Sequence, residues 1–250
     1  MKKTALITGA TSGIGKATAK AFAKEKIDLI LCGRKQEELD KLQKELSSEV
    51  SVTTLNFDVR DKKDVFEKIE SLPSEFKEIN ILVNNAGNAH GLAPIQEGDT
   101  DDWDAMLDIN VKGLLYVSKA VLPHLISAKN GQIINIGSIA GKEAYPNGNV
   151  YCASKFAVDA LTKSMRIDLN KNGIRVGSIN PGLVHTNFSK VRFKGDEEKA
   201  EKVYEGFDAL KPEDIADLIV FAVTRPYHVN IADLTVLPTA QANSTMVNKE

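Results

Sequence analysis

The sequence predicts an α/β fold in which helices cover both faces of a doubly wound parallel sheet. Short β-branched runs alternate with longer stretches of helical spacing along the 250 residues, and this alternation implies right-handed crossovers between parallel strands. The strands are nearly continuous apolar runs, a pattern typical of strands that are buried on both faces. Because no linker rich in Gly, Pro or Ser interrupts the chain, we expect one domain over residues 1–250.

The apolar spacing gives seven strands and six helices. The expected strands are residues 4–8, 28–32, 51–57, 80–84, 131–136, 174–179 and 232–236. The expected helices are residues 13–25, 35–47, 61–72, 101–127, 150–172 and 212–224. The fourth helix is predicted to be continuous, since Met106, Ile109, Leu114, Val117, Val121 and Leu125 recur at helical steps.

Two polar segments stand outside this pattern. Residues 187–211 are rich in Lys, Glu, Asp and Gly, and we expect them to form a partly helical, mobile lid over the site. Residues 238–250 form a polar tail that we expect to be loosely ordered.

Composition excludes several classes of function. The formal net charge is −2, so no basic excess indicates nucleic acid and no charge block indicates a membrane surface. Two cysteines, Cys32 and Cys152, do not indicate a disulfide framework. The apolar run after Lys3 is too short for a signal peptide, so a cytoplasmic location is expected. The four histidines lack metal-ligand spacing, so no metal site is predicted.

A glycine-rich turn connects the first strand to the first helix. Glycines allow a tight turn and a close approach of backbone to a ligand, and the helix that follows directs free N–H groups at the turn, which suits a pyrophosphate. A nucleoside-triphosphate loop is excluded because Ala10 and Ala17 replace its Gly and Ser or Thr. A turn without a ligand remains the alternative. The predicted contacts are Gly9, Thr11, Ser12, Gly13, Ile14 and Gly15.

The second strand ends in Cys32-Gly33-Arg34-Lys35. An NAD site usually has an acidic residue here that binds the ribose 2′-hydroxyl, whereas a guanidinium suits a 2′-phosphate. Arg34 and Lys35 therefore predict NADP rather than NAD as the cofactor. The alternative is that Arg34 only begins a solvated helix.

Two further strand ends carry candidate cofactor contacts, because ligands bind at the carboxyl ends of strands in open parallel sheets. Asp58 and Val59 follow the third strand, and Asp58 is expected either to accept from the adenine amino group or to cap the next helix, a role for which Asp61 competes. Asn85, Ala86 and Gly87 follow the fourth strand, where Asn84 and Asn85 are also candidates for a purely structural role.

Tyr151 and Lys155 are the predicted catalytic pair. Residues at i and i+4 share one helix face, and a nearby ammonium favours the phenolate of a tyrosine. Tyr151 would exchange a proton with the substrate, while Ser138, after the fifth strand, would stabilise charge on the substrate oxygen. An amphipathic surface helix is the alternative for the pair taken alone. Asn110 is expected to hold a water near Lys155, since Asn is locally unfavourable within a helix.

Together these motifs resemble the short-chain dehydrogenase/reductase family over almost the whole chain. The resemblance implies a Rossmann-type sheet of about seven strands, a nicotinamide cofactor and a homotetramer with the helices of Asn110 and Tyr151 between subunits. It assigns Ser138, Tyr151, Lys155 and Asn110 as a catalytic tetrad. The segment after the sixth strand would meet the nicotinamide through Pro181, Gly182, Val184 and Thr186.

A narrower resemblance lies in the lid. The run Phe188-Ser189-Lys190-Val191-Arg192-Phe193-Lys194-Gly195-Asp196 is similar to NADP-dependent serine 3-dehydrogenases, also called 3-hydroxy acid dehydrogenases. That resemblance implies substrates such as L-serine, L-allo-threonine or 3-hydroxypropionate. Arg192 is the preferred clamp for the substrate carboxylate, with Lys194 as the other candidate and a solvated Arg192 as the alternative. The predicted substrate contacts are Ser138, Asn147 and Arg192; the segment 88–90 is left unassigned.

Two rival functions remain at this point. The first is a family member that reduces another carbonyl, such as a 3-oxoacyl thioester. The second is a protein that binds NADP and senses redox state without catalysis, which the presence of both Tyr151 and Lys155 disfavours.

Overall fold

A computed structural model describes residues 3–250. Within these residues, seven parallel strands form one sheet in the order β3-β2-β1-β4-β5-β6-β7, which confirms the predicted fold class. The strands are β1 (Thr4–Thr8), β2 (Asp28–Gly33), β3 (Val52–Asn56), β4 (Ile81–Asn84), β5 (Gln132–Ile136), β6 (Arg175–Pro181) and β7 (Asp233–Val236). The strand order reverses beside β1, and such a switch point opens a crevice at the carboxyl ends of the strands.

Helices cover both faces of the sheet. They are α1 (Gly13–Lys24), α2 (Gln36–Leu46), α3 (Lys62–Glu70), α4 (Thr100–Leu107), α5 (Leu114–Ser127), α6 (Asn149–Asp168), α7 (Phe188–Arg192), α8 (Glu197–Lys202) and α9 (Pro212–Thr224). Successive residues of a strand point to opposite faces, so Ile7 packs in one core cluster with α1, α2 and α9, while Leu6 packs in the other with α3 and α5. No helix within residues 3–250 is long and apolar enough to cross a membrane.

The prediction of one continuous helix over residues 101–127 was wrong. Asp108–Gly113 form a π-helical stretch between α4 and α5. Gly113 allows close packing here, since a Cβ at this position would lie 2.6 Å from Cγ2 of Val59. Wide turns of this kind are frequent at functional sites, and this one contains Asn110.

The two polar segments are more ordered than the sequence suggested. Residues 187–211 contain α7 and α8, which agrees with a partly helical lid. The expectation of a loosely ordered tail was wrong, because its polar groups pair with the body of the protein. The Gln241 side chain accepts from the backbone N–H of Leu183 at 2.9 Å, and the Glu250 N–H donates to the Gly206 carbonyl at 2.9 Å.

Candidate active site

A cavity of about 950 Å³ lies along the carboxyl ends of the strands. Its walls come from the turns after β1 to β6, from the segment 187–211 and from the tail. The volume is at the upper end of the range for small-molecule and cofactor sites. All predicted cofactor contacts line this cavity except Gly15.

The glycine turn after β1 shapes one end of the cavity. Gly9 and Gly13 have φ angles of +65° and +50°, which side chains other than glycine rarely adopt. Gly15 acts differently, because a Cβ there would lie 2.3 Å from the Gly9 carbonyl oxygen and 2.5 Å from Nδ2 of Asn85. Gly15 therefore lets α1 pack against the turn and lies behind the cavity wall, a correction to its predicted role as a contact.

The amino end of α1 fits an anion. Ser12 occupies the N-cap position, yet its side chain caps no N–H group of the described helix, and no acidic residue lies in the first turn. The free N–H groups and the helix dipole therefore remain available to a negatively charged ligand. Thr11, Ser12 and Ile14 line the cavity beside them.

Cationic side chains stand near the end of β2. Arg34 and Lys35 line the cavity, and Nη1 of Arg34 lies 3.8 Å from Oδ2 of Asp58. Arg60 binds the same carboxylate at 2.7 Å. Burial alone would raise the pKa of Asp58, but the hydrogen bonds from Arg60 and the charges of both arginines lower it, so Asp58 is ionised. The Arg34 side chain is 64% exposed and free to bind a phosphate, so this end of the cavity fits NADP.

The asparagines after β4 hold the glycine turn. Nδ2 of Asn85 donates to the carbonyls of Thr8 at 2.9 Å and Gly9 at 3.2 Å, while Asn84 bonds to Ser118 and Asn135 inside the sheet. Both side chains thus have the structural role that the sequence left open. Asp58 does not cap α3, since Asp61 accepts from the N–H of Asp64 at 3.0 Å.

The segment after β6 closes the cavity from the opposite side. A Cβ on Gly182 would lie 2.1 Å from Oε1 of Gln241, so only glycine lets the tail pack here. Thr186 lies close to the glycine turn, 3.4 Å from a Cβ built on Gly13. Pro181 and Val184 also line the cavity.

Ser138, Tyr151 and Lys155 meet at the middle of the cavity. The α6 spacing brings Nζ of Lys155 to 6.0 Å from the Tyr151 ring centroid, and the same Nζ donates to the Ile136 carbonyl at 3.0 Å. Ser138 hydrogen-bonds to the Tyr151 hydroxyl. Its Oγ also accepts from the N–H of Ala140 at 3.1 Å, which fixes the side chain at the end of β5.

Burial is the largest cause of the pKa shifts of Tyr151 and Lys155. It raises the pKa of Tyr151 above its usual range, while the Ser138 hydrogen bond and the charge of Arg192 act in the opposite direction. Burial also lowers the pKa of Lys155 to about 8. The phenol is therefore protonated, and a Lys155 ammonium beside it would favour the phenolate over the neutral form.

Asn110 lies near Lys155 but does not line the cavity. Its Oδ1 accepts from the N–H of Asn88 at 2.9 Å, and its Nδ2 donates to the Asn88 carbonyl at 2.8 Å and to Oγ of Ser154 at 3.0 Å. The side chain is thus hydrogen-bonded to protein partners, and the expectation that it holds a water near Lys155 stays a prediction. The side chain ties the turn after β4 to α6, the helix that carries Tyr151 and Lys155.

Of the predicted substrate residues, Ser138 and Arg192 line the large cavity, whereas Asn147 does not. The Arg192 guanidinium lies 5.5 Å from the ring centroids of both Tyr145 and Tyr151, beside Ser138 in the same cavity. Its Nη2 is buried and has no partner among the described residues. Lys194 instead pairs with Asp99 and Asp102. Asn147 lines only a neighbouring cavity of about 210 Å³, which Tyr151 and Arg192 separate from the large one.

Several cavity residues were missed by the sequence analysis. Asn88 and Tyr145 line the same cavity as Ser138 and Tyr151, and Gln241 and Ser244 reach it from the tail. The position of Asn88, directly after Gly87 at a strand end, was a usable signal. No local pattern marks Gln241, because its contact with residue 183 depends on how the tail folds back.

The comparisons with known proteins agree with this geometry. A family model described as short chain dehydrogenase matches residues 3–197. The NADP-dependent 3-hydroxy acid dehydrogenase of Schizosaccharomyces pombe is 46% identical, with 99% of this chain and 97% of that protein covered. Sulfoacetaldehyde reductase 2 of Chromohalobacter salexigens is also 46% identical, with 97% and 96% covered.

Solved structures extend the likeness to three dimensions. The closed form of a serine dehydrogenase in complex with NADP⁺ superposes with a TM-score of 0.92 at 42% identity, covering 99% of each chain. The matched family model, the two sequence relatives and the shared fold lead to one conclusion. The chain belongs to the short-chain dehydrogenase family.

Proposed function

We propose that this enzyme is an NADP(H)-dependent oxidoreductase that interconverts a 3-hydroxy acid and its 3-oxo form. The observation that carries the substrate class is Arg192, a half-buried arginine whose Nη2 is buried without a partner among the described residues and whose guanidinium lies 5.5 Å from the Tyr151 ring. A guanidinium favours a carboxylate, which it can bind through two parallel hydrogen bonds. The relatives that act on 3-hydroxy acids and on serine support the same class.

The end of the cavity that contains the glycine turn, Arg34, Lys35 and Asp58, here called the nucleotide end, binds NADP. The α1 amino end and the glycine turn bind the pyrophosphate, Arg34 and Lys35 bind the 2′-phosphate, and Asp58 accepts from the adenine amino group. When bound, NADP(H) accepts or supplies the hydride at the substrate carbon. The remaining predicted contacts are Val59, Asn85, Ala86, Gly87, Pro181, Gly182, Val184 and Thr186.

Tyr151 transfers the proton to and from the substrate. In the reducing direction its hydroxyl donates a proton to the substrate oxygen, and in the oxidising direction the phenolate takes that proton back. Ser138, which is hydrogen-bonded to the same hydroxyl, also donates to the substrate oxygen as charge develops there. Lys155 stabilises the phenolate, and Asn110 keeps α6 in position through Ser154.

The segment 187–211 acts as a lid that brings Arg192 to the substrate. In this structure Nε of Arg192 donates to the Gly91 carbonyl at 3.2 Å, so the lid residue is tied to the turn after β4. Lys194 adds ion pairs to Asp99 at 3.4 Å and Asp102 at 3.0 Å. Opening of these contacts would release product, as in enzymes with mobile lids.

A substrate panel tests the proposal through NADPH absorbance, with Tyr151→Phe as the blank. The panel contains L-serine, L-allo-threonine, 3-hydroxypropionate, a 3-oxoacyl thioester and sulfoacetaldehyde. We expect the highest kcat/KM on a 3-hydroxy acid or its oxidised form. A clear preference for the thioester or the sulfonate would contradict the 3-hydroxy acid assignment, and tight NADPH binding without any turnover would favour a redox sensor.

The assembly is proposed to be a homotetramer. The helices next to the catalytic residues present exposed apolar side chains, among them Leu107, Leu115, Phe156 and Ile167. Apolar surface of this kind marks protein–protein contacts when it is grouped. Light scattering after size-exclusion chromatography would give a mass close to 4 × 27.2 kDa, whereas the mass of one chain would contradict the assembly.

We propose a cytoplasmic location because neither cysteine forms a disulfide. Cys32 and Cys152 are both free and buried, which suits a reducing compartment. Cell fractionation with a marker enzyme for each compartment would test it.

A further inference from the structure

Two residues that line the large cavity each carry a buried polar atom without a partner among the described residues. Among the described residues six such side-chain atoms exist, and only Asn88 and Arg192 of that group line the large cavity. The Asn88 atom is Oδ1, an acceptor, and the Arg192 atom is Nη2, a donor. A buried polar group without a partner destabilises the protein, so each of these atoms favours a ligand group of the opposite kind.

The four-residue segment 88–91 carries Asn88 and holds Arg192 in place. The N–H of Gly91 donates to the Arg192 carbonyl at 3.0 Å, and Nε of Arg192 donates to the Gly91 carbonyl at 3.2 Å. Gly91 has a φ angle of +67°, and a Cβ there would lie 3.1 Å from Oδ2 of Asp102. Arg192 is therefore bonded to Gly91, which lies three residues after Asn88 in the chain. This contact brings Asn88 and Arg192 to the same end of the cavity.

His90 sets the orientation of the Asn88 amide. Nδ2 of Asn88 lies 2.8 Å from Nε2 of His90, so Nδ2 donates when that ring nitrogen is unprotonated. Burial lowers the pKa of His90, as does the charge of Lys194, while Asp102 opposes them; the net effect favours the neutral ring. The Asn88 backbone is already bonded to Asn110, which leaves Oδ1 as the free polar atom.

We propose that Asn88 determines specificity by accepting, through Oδ1, a hydrogen bond from an amino group on carbon 2 of the substrate. The inference rests on the proposed function, in which Arg192 binds the carboxylate on that same carbon. The pair then recognises the two charged groups of a 2-amino-3-hydroxy acid, whereas a plain 3-hydroxy acid satisfies Arg192 alone.

A matched pair of substrates tests this assignment. L-Serine and 3-hydroxypropionate share the hydroxyl and the carboxylate and differ only in the amino group. The measured quantity is the ratio of kcat/KM for L-serine to kcat/KM for 3-hydroxypropionate. Asn88→Leu removes the acceptor and keeps the same branching of side-chain heavy atoms, and we expect this ratio to fall roughly 10- to 100-fold, the size of a lost hydrogen bond to a charged group. Asn88→Asp keeps the shape, adds a negative charge and should raise the ratio.

Asn230→Leu is the control variant. Asn230 also has a buried Oδ1 without a partner among residues 3–250, and its Nδ2 donates to the Val176 carbonyl at 3.2 Å, but it does not line the cavity. Its ratio should equal that of the unmodified enzyme. An equal loss on both substrates in Asn88→Leu, or an unchanged ratio, would overturn the assignment alone. Absence of turnover on both substrates in the unmodified enzyme would overturn the proposed function and this inference with it.

Discussion

The two ends of the cavity are built in different ways. The nucleotide end, formed by the turn from Gly9 to Gly15 and by Arg34, Lys35 and Asp58, is built largely from motifs at the ends of neighbouring strands. The substrate end is assembled from distant segments, since Arg192 and Gly91 are 101 residues apart. The difference teaches that a binding end made of local motifs can be predicted from sequence, while an end made of distant side chains depends on the whole fold.

The largest expected effect lies where the two ends meet. Tyr151→Phe removes the proton donor, so kcat should fall roughly 10³-fold, within the range for general acid–base catalysis. Affinity for NADPH, measured by fluorescence titration, should change little, because the glycine turn and Arg34 are untouched. A variant that lost cofactor affinity as well would show that the two ends are not separable.

The next effect tests the nucleotide end. Gly15→Ala places a Cβ 2.3 Å from the Gly9 carbonyl oxygen, so the turn must shift. We expect NADPH affinity to fall about tenfold or more and the Tm to drop by several degrees, as for an overpacked contact. Gly195→Ala in the lid is the control, because it meets no atom within 4 Å but has a φ angle of +94°, which strains any residue except glycine. It should lower the Tm without lowering NADPH affinity, and an equal loss of NADPH affinity at both positions would contradict the difference between the ends.

Arg192→Ala tests the substrate end. Loss of the guanidinium should raise KM for the preferred 3-hydroxy acid about tenfold or more. Because Arg192 is remote from the nucleotide end, the Kd for NADPH should stay within about twofold. Steady-state kinetics and a separate cofactor titration distinguish the two, and an unchanged KM would remove the carboxylate clamp from the proposal.

Arg34→Glu tests which cofactor the nucleotide end selects. The new carboxylate repels a 2′-phosphate and can accept from a 2′-hydroxyl, so the ratio of kcat/KM for NADPH to that for NADH should fall about tenfold or more. Lys35→Ala keeps the Arg34 guanidinium, so the ratio of kcat/KM for NADPH to that for NADH should fall less in this variant. An unchanged ratio in Arg34→Glu would mean that this arginine belongs to a solvated helix start.

The smallest expected effect is on stability. Burial lowers the pKa of Lys155 to about 8, below the value of 10.5 for an exposed lysine. Between these values the unfolded chain binds more protons than the folded protein, so the stability of the unmodified enzyme should rise with pH across that window. Lys155→Met lacks the titrating amine, so its stability should not show this rise with pH. Thermal melts of both proteins from pH 7 to 10.5 would show the Tm difference change by a few degrees, and parallel curves would contradict it.

The sequence by itself determined the sheet, the glycine turn and the spacing of Tyr151 and Lys155. Those features depend on local rules: apolar periodicity, the freedom of glycine backbone and the shared face of residues i and i+4. They hold in the structure from β1 to β7.

Only the tertiary structure decided the substrate end. The π-helical stretch at Asn110, the return of Gln241 to the cavity and the docking of Arg192 on Gly91 all depend on segments that meet only after folding. Asn88 shows the same limit, because nothing in its neighbours along the chain marks an acceptor without a partner. The physical reason is that a buried polar atom is satisfied or left free by the whole packed surrounding, which no local pattern contains.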